Sequence, residues 1–175
     1  MKIFIIGGCG FIGFNVFSFL KTKKYSDITV IDNFSGQSSK KNYTKLKREF
    51  KNTNFLNIDI AKNKKIFDLI KKKKPEVILA LHGQVAVTRS IKDPKLDFNN
   101  NFLSVFNLLE SIRKFSPKSL LINLSSNKVY GKIEKFKIYE KKLRYASKNL
   151  IHEQYPLNFE SPYGCSKGAA DQYVK

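Results

Sequence analysis

Residues 3–13 read Ile-Phe-Ile-Ile-Gly-Gly-Cys-Gly-Phe-Ile-Gly, a short apolar run that passes directly into a glycine-rich turn. The run from Ile3 to Ile6 is apolar without alternation, which is typical of a parallel strand buried on both faces. From Phe11 to Lys23, apolar residues recur at helical spacing. The stretch therefore predicts a strand, a tight turn and a helix at the start of a parallel α/β fold.

The glycines Gly7, Gly10 and Gly13 are evenly spaced, and each suits a different requirement of a phosphate-binding turn. The first permits a sharp turn, the second lets the backbone approach a pyrophosphate, and the third lets the helix pack closely on the strand. The amides at the helix N-terminus would then face the phosphates. A tight turn that binds nothing can share this pattern. Its position between a predicted strand and a predicted helix favours dinucleotide binding.

The alternation of strands and helices continues along the chain. Apolar runs predict further strands at residues 28–32, 54–58, 77–81 and 119–124. Amphipathic segments predict helices at residues 40–51, 62–73 and 94–115, and a last helix starts at Ser161. Residues 126–160 are polar and weakly periodic, which predicts a loop with at most one short element. The alternation predicts an α/β fold with a Rossmann-type doubly wound parallel sheet.

Asp32 ends the second predicted strand, 19 residues after Gly13. A carboxylate at this point can accept hydrogen bonds from both ribose hydroxyls of an adenosine, and it would repel a 2′-phosphate. NAD is therefore favoured over NADP, with Asn33, Phe34 and Ser35 as candidate walls of the adenosine pocket. The alternative role of Asp32 is that of a turn former or helix cap.

Tyr163 and Lys167 are four residues apart on the last predicted helix, so they share one face. An ammonium beside a phenol favours the phenolate, which is a general base. Ser125 and Ser126 follow the fifth predicted strand, at the edge where parallel sheets bind ligands. A Tyr–Lys pair at this spacing also arises by chance on helix surfaces. In combination with the glycine turn and Asp32, the pair favours a catalytic site.

The chain has 175 residues and a formal net charge of +19, with 33 Lys and Arg against 14 Asp and Glu. Its length suits one domain with a sizeable core, and a hydrophobic content of 42% excludes a wholly disordered chain. A basic surface can bind nucleic acid, but only four of the 33 basic residues are Arg, which such interfaces favour. We therefore predict a solvated Lys-rich surface and no nucleic-acid partner.

Cys9 and Cys165 do not have the spacing of a metal or disulfide motif, so no metal site is expected. The N-terminus lacks the apolar region of a signal peptide, and no apolar run approaches the roughly 20 residues of a membrane span. We expect a soluble, cytoplasmic protein with free thiols and no membrane partner.

Seven segments resemble the extended short-chain dehydrogenase/reductase family of NAD-dependent nucleotide-sugar epimerases and dehydratases. They occur in the family's order and span nearly the whole chain: GGCGFIG (7–13), VIDNFS (30–35), NIDI (57–60), HGQVAVTRSIKDP (82–94), NFLSVFNLLESIR (101–113), LSSNKVYG (124–131) and SPYGCSKGAADQYV (161–174).

The resemblance implies that NAD is the cofactor and that Ser126, Tyr163 and Lys167 form a catalytic triad, of which Tyr163 and Lys167 also contact NAD. Further cofactor contacts are implied for Gly7, Gly10, Phe11, Ile12, Gly13, Asp32, Asn33, Asp59, Ile60, Ala80, Leu81, Gln84, Asn101 and Ser125.

Two departures from the family narrow the expected activity. The family's dehydratases carry an Asp-Glu pair after the strand-end hydroxyl residue, whereas this chain has Asn127 and Lys128, which argues for epimerisation. The segments GQVAVT, SSNKVYG and SPYGCSKGAADQYV are most similar to a branch that acts on CDP-linked sugars, so a CDP-linked nucleotide sugar is the expected partner.

Ala80 and His82 stand where the family has His and Ala. This exchange brings a larger ring near the cofactor unless His82 is a strand-end histidine whose ring nitrogens have their own hydrogen-bond partners.

Family members continue with further strands and a smaller substrate-binding domain. We therefore expect residues 1–175 to form a Rossmann domain truncated before the C-terminal substrate domain, to be inactive alone, and to belong to a homo-oligomer in the full-length protein. Two other hypotheses stay open: a nucleotide-sugar reductase or 4-epimerase of the same family, using NAD(P), and a non-catalytic NAD-binding or basic adaptor module.

Overall fold

The computed structural model describes residues 1–62, 64–132, 138–147 and 151–175. Within them, the main sheet has five parallel strands: β1 (Ile3–Ile6), β2 (Ile28–Asp32), β3 (Asn54–Asn57), β4 (Val77–Ala80) and β5 (Leu120–Asn123). Their order across the sheet is β3-β2-β1-β4-β5. The chain thus winds outward in both directions from β1, which confirms the predicted Rossmann-type fold.

Helices join the strands and cover the sheet. They are α1 (Phe11–Thr22), α2 (Gln37–Glu49), α3 (Lys65–Lys73), α4 (Val87–Lys92), α5 (Pro94–Phe98), α6 (Ser104–Phe115) and α7 (Pro162–Val174). A π-helical turn at Asn99–Leu103 joins α5 to α6, so the helix predicted at 94–115 contains a widened turn. Among the described residues, none of the helices has the length and apolarity that a membrane crossing requires.

The hydrophobic core has two layers, one on each face of the sheet. Successive side chains of β1 point to opposite faces. Phe4 and Ile6 pack with residues of α3 and α6, which include Ile66, Ile70 and Leu108. On the other face, β1 packs with residues of α1 and α2, which include Phe17 and Leu46. Every residue of β1 and β2 is buried, which explains why their sequences are apolar without alternation.

The segment 126–160 contains more regular structure than the single short element predicted for it. A 3₁₀ turn at Asn127–Tyr130 follows β5, and β6 (Ile138–Lys141) pairs with β7 (Arg144–Ser147) as an antiparallel hairpin. All four residues of β6 are exposed, so the hairpin lacks the buried face that would have produced a period-2 pattern. Residues 133–137 and 148–150 of this segment, and residue 63 of the predicted helix 62–73, lie outside the described residues.

Candidate dinucleotide site and catalytic residues

The glycine turn lies at the carboxyl end of β1, where the strand order reverses. Gly7 has a φ of +75°, which favours glycine, and its N–H donates to the Ile31 carbonyl oxygen at 2.7 Å. A Cβ on Gly13 would collide with the Gly7 carbonyl oxygen and lie 2.5 Å from the Gly8 Cα. By contrast, the nearest atom to a Cβ on Gly10 would be the Gly7 carbonyl oxygen, at 3.3 Å. The turn is therefore tight at Gly7 and Gly13 and more open at Gly10.

Phe11 and Ile12 form the first turn of α1, with 83% and 47% of their surfaces exposed. Gly10 is the N-cap, so the cap residue has no side chain to satisfy the first-turn amides. Such amides, together with the positive end of the helix dipole, suit a phosphate group.

Asp32 lies at the end of β2 with 8% of its surface exposed. Its Oδ2 accepts from the Cys9 N–H at 2.9 Å, and its Oδ1 accepts from the Phe34 N–H at 2.8 Å. Phe34 has a φ of +50°, and its ring lies 4.5 Å from that of Tyr43. Burial, with a smaller effect of the Asp32 charge, raises the pKa of Cys9 to about 12. The carboxylate thus ties the glycine turn to the segment after β2.

The other predicted cofactor residues follow the same edge of the sheet. After β2, the Asn33 Oδ1 accepts from the N–H of the exposed Ser35 at 3.1 Å. After β3, the Asp59 Oδ1 accepts from the Ala61 N–H at 3.1 Å, and Ile60 is buried. The remaining residues are Ala80 at the end of β4, Leu81 and Gln84 after it, Asn101 in the π-helical turn and Ser125 after β5.

Tyr163 and Lys167 lie in the first half of α7, and both are buried, with 7% and 6% exposure. The Lys167 Nζ donates to the Leu124 carbonyl oxygen at 2.8 Å, directly before Ser125 and Ser126. Burial lowers the pKa of Lys167, and the Asp97 carboxylate partly opposes that effect. The structure therefore brings Lys167 to the end of β5, where the sequence places the predicted serine.

The first turn of α7 also contacts the 3₁₀ turn that Ser126 caps. The Ser126 Oγ accepts from the Lys128 N–H at 3.2 Å, and a Cβ on Gly164 would lie 2.8 Å from the Lys128 carbonyl oxygen. Ser90 of α4 accepts from the Tyr163 N–H at 3.2 Å. Tyr163 and Ser126 thus belong to segments that pack against each other.

The sequence did not indicate a buried polar cluster that surrounds Asp97. Asp97 is 1% exposed and accepts hydrogen bonds from Gln84, Asn101 and Ser166. Asp97 and Asn101 are one helical turn apart, which places both side chains on one face, and this spacing could have indicated that they belong to one cluster. Ser166 had no such signal, because it lies 69 residues away along the chain.

His82 directs its ring at α6. Its Nε2 lies 2.9 Å from the Ser104 Oγ, which in turn donates to the Asn100 carbonyl oxygen at 2.7 Å. The Ser104 Oγ therefore accepts from an Nε2–H, and Nδ1 carries no proton. Nδ1 is buried and has no hydrogen-bond partner within the described residues. Burial, with a smaller effect of the Lys167 charge, lowers the pKa of His82 to about 3, so the ring is neutral near pH 7.

The glycine turn at the strand reversal and the buried Tyr-x-x-x-Lys pair on α7 are typical of the short-chain dehydrogenase/reductase class. A sequence family described as GDP-mannose 4,6 dehydratase matches residues 4–175. The chain belongs to this family, within the extended short-chain dehydrogenases/reductases that act as nucleotide-sugar epimerases and dehydratases. The family predicted from the sequence is thereby confirmed.

Individual relatives agree with this assignment. The chain is 41% identical over 177 residues to CDP-paratose 2-epimerase of Salmonella typhi, an alignment that covers 99% of this chain and 52% of that protein. The solved UDP-Glc/GlcNAc 4-epimerase of Campylobacter jejuni is 26% identical with a TM-score of 0.79, over 99% of this chain and 47% of that one. The UDP-glucose 4-epimerase of Thermus thermophilus, solved as a complex with NAD, is 25% identical with a TM-score of 0.80. This match covers 99% of this chain and 50% of that one. The chain thus spans about half the length of these relatives.

Proposed function

We propose that this chain supplies the NAD site and the catalytic residues of a nucleotide-sugar epimerase, and that its substrate is a CDP-linked sugar, as for CDP-paratose 2-epimerase. The observation that carries the proposal is the position of Lys167, whose Nζ bonds the Leu124 carbonyl oxygen directly before Ser125 and Ser126. A buried Tyr163 one helical turn earlier completes a general-base arrangement at the ligand-binding edge of the sheet.

The residues of the chain fit NAD. The glycine turn is less crowded at Gly10 than at Gly7 and Gly13, the first-turn amides of α1 suit the pyrophosphate, and Asp32 suits an adenosine ribose with free hydroxyls. Because the His82 ring is directed at Ser104, its size is accommodated by α6. When bound, NAD supplies an acceptor and donor of hydride, which permits a redox-neutral epimerisation.

In this mechanism, Tyr163 as phenolate removes the proton from a sugar hydroxyl while the adjoining carbon is oxidised. Ser126 donates a hydrogen bond to the same oxygen and fixes its position. The Lys167 ammonium favours the phenolate and holds the ribose of the cofactor. The ketosugar then rotates in the site and presents the other face of its carbonyl carbon. Tyr163 returns the proton to the oxygen as that carbon is reduced on this second face.

Two observations support epimerisation of a CDP-linked sugar. Asn127 and Lys128 occupy the positions where the family's dehydratases carry acidic residues, so the acid for water elimination is lacking. The identity of 41% to a CDP-paratose 2-epimerase points to the CDP-linked branch. The net charge of +19 would also attract an anionic sugar nucleotide.

The test compares Tyr163→Phe with Tyr173→Phe, which removes a hydroxyl from the exposed end of the same helix. NAD binding is measured by calorimetry on the 175-residue chain, which should bind NAD and turn over poorly. Conversion of CDP-paratose is followed by NMR after residues 1–175 are joined to the second half of the Salmonella typhi relative.

We expect Tyr163→Phe to abolish conversion while NAD affinity changes less than about threefold, and Tyr173→Phe to leave both unchanged. Full conversion by Tyr163→Phe would contradict the assignment. Stoichiometric consumption of NAD(P)H would indicate a reductase instead. Salt-sensitive binding of nucleic acid without NAD binding would indicate an adaptor.

A further inference from the structure

We propose that Asp97 is a positioning residue for Lys167: its buried carboxylate fixes the helix that carries Tyr163 and Lys167 and keeps the Lys167 ammonium charged. The inference rests on the proposed roles of Tyr163 and Lys167.

Three hydrogen bonds converge on the Asp97 carboxylate, which is 1% exposed. The Gln84 Nε2 and the Asn101 Nδ2 donate to Oδ1 at 3.0 and 2.9 Å. The Ser166 Oγ donates to Oδ2 at 2.5 Å. Ser166 directly precedes Lys167, so the carboxylate is linked to the catalytic helix beside the ammonium that it influences.

The hydrogen-bond directions show that the Oδ1 atom of Asp97 is an acceptor. The Asn101 Oδ1 accepts from the Gln84 N–H at 2.9 Å, so the Asn101 amide nitrogen must face Asp97. The Gln84 Oε1 accepts from the Ala86 N–H, so the Gln84 amide nitrogen is directed in the same way. The Ser166 hydroxyl lies within hydrogen-bond distance of both the Asp97 Oδ2 and the Tyr163 carbonyl oxygen. A charged carboxylate accepts from all three side chains, and this is the form that the proposal assigns to Asp97.

A buried anion needs a nearby positive charge, because an uncompensated charge in the interior is costly. Among the described residues, Lys167 is a buried cation at 6% exposure, and it directly follows Ser166, which bonds the carboxylate. Its Nζ would lie 3.3 Å from a Cβ on Gly83, and the Asn101 Oδ1 would lie 2.6 Å from the same point. The Asn101 side-chain amide, which bonds Asp97, therefore also lies close to the end of the Lys167 side chain.

The other titratable groups near Lys167 do not replace this charge. His82 is neutral near pH 7, since burial lowers its pKa to about 3. Tyr163 precedes Lys167 by one helical turn, and Asp171 follows it by one turn and is half-buried. Apart from Asp97, the charged side chains on the 3₁₀ turn and on the helices α4 and α5, which pack against α7, are exposed: Arg89, Lys92, Asp93, Lys95 and Lys128. On α6, which also packs against α7, Arg113 and Lys114 are exposed and pair with Glu110.

Burial lowers the pKa of Lys167, and the Asp97 charge raises it. If Asp97 lost its charge, Lys167 would release its proton at a lower pH. A positive charge one helical turn after Tyr163 would then be lost.

The test measures the pKa of Lys167 in the 175-residue chain by competitive labelling with trace acetic anhydride and peptide mass spectrometry, which requires no turnover. Asp97→Asn removes the charge and keeps the shape. Ser166→Ala removes the hydroxyl that lies between Asp97 and the Tyr163 carbonyl oxygen and keeps the charge of Asp97. Asp171→Asn removes a charge elsewhere on α7. If Asp97→Asn does not fold, Asp97→Glu and Asp97→Gln provide the same comparison, because both are longer by one methylene and differ in charge.

We expect the labelling midpoint of Lys167 to fall to a lower pH in Asp97→Asn and to stay unchanged in Asp171→Asn. A midpoint that is unchanged in Asp97→Asn, or that falls equally in Ser166→Ala, would overturn the inference. If the midpoint shifts as expected but the joined protein used for the Tyr163 test converts no sugar nucleotide, the proposed function fails and the pairing of Asp97 with Lys167 stands.

Discussion

Gly7 and His82 lie in backbone contact at the carboxyl ends of β1 and β4: a Cβ on Gly7 would stand 2.6 Å from the His82 Cα. β1 and β4 are neighbours in the sheet, although β2 and β3 lie between them along the chain. Parallel α/β sheets bind ligands where the strand order reverses in this way. The contact therefore lies at the edge of the sheet where folds of this class bind ligands.

The tight packing of the glycine turn predicts different costs for two alanine substitutions. A Cβ on Gly13 would meet the backbone of Gly7 and Gly8, whereas a Cβ on Gly36, the N-cap of α2, would have as its nearest atom the Ser39 Oγ at 3.4 Å. We expect Gly13→Ala to lower the free energy of unfolding by about 1–3 kcal/mol and to weaken NAD binding. Gly36→Ala should change it by less than about 1 kcal/mol. Urea unfolding of both variants is the measurement, and equal losses would contradict the packing described for the turn.

Asp32 predicts the cofactor preference. Its two oxygens accept from backbone N–H groups, so Asp32→Asn should keep one of these contacts and lose the negative charge. We expect the affinity for NAD to fall about 10- to 100-fold, because charge-assisted hydrogen bonds to the ribose are lost, and the discrimination against NADP to shrink. Calorimetric titration with both dinucleotides measures this, and Asp68→Asn on α3 provides the control. An unchanged ratio of the two affinities would remove Asp32 from the predicted site.

β1 and β2 were predictable from the sequence because burial on both faces leaves a local record, and they have the bounds expected from their apolar runs. In the glycine turn, only the close packing of Gly13 on Gly7 and Gly8 joins residues close in sequence. The hairpin of β6 and β7 could not be predicted, since exposed strands need no apolar pattern. Helix α4 is only six residues long, which is too short for a clear helical period.

The candidate site was predictable to the extent that its residues follow strand ends or share a helix turn. Tyr163 and Lys167 form such a pair, and Asp32 follows a strand. The Asp97 cluster depends instead on a contact between α5 and α7, and no local rule specifies a partner 69 residues away. Sequence patterns thus predicted candidate site residues, whereas tertiary packing determined the Asp97 cluster, to which two of the predicted cofactor contacts, Gln84 and Asn101, belong.

The two thiols should differ sharply in reactivity. Cys9 is buried and its pKa is raised to about 12, mainly by burial, so little thiolate forms near pH 8. Cys165 is exposed on α7. With Ellman's reagent at pH 8, we expect one thiol of the folded protein to react rapidly and the second to react only after unfolding. Cys165→Ser should abolish the rapid phase and Cys9→Ser should leave it intact; the reverse pattern would contradict the burial of Cys9.

The neutral His82, which is half-buried with its Nδ1 atom in the interior, predicts a dependence of stability on pH. Its pKa is lowered from 6.5 to about 3 in the folded protein, so between these values the unfolded state binds one more proton than the folded state. The free energy of unfolding must then fall as the pH falls from 6.5 towards 3, by roughly 2 kcal/mol between pH 7 and pH 5 from this group alone.

His82→Gln should remove this contribution, because glutamine does not titrate. Urea unfolding at pH 7 and pH 5 compares the loss in the unmodified chain with the loss in the variant. His152→Gln is the matched control, since His152 is exposed. We expect the control to lose as much stability as the unmodified chain, and His82→Gln to lose roughly 2 kcal/mol less. An equal loss in all three proteins would show that His82 is protonated in the folded state, and its ring could not then be the neutral group directed at Ser104.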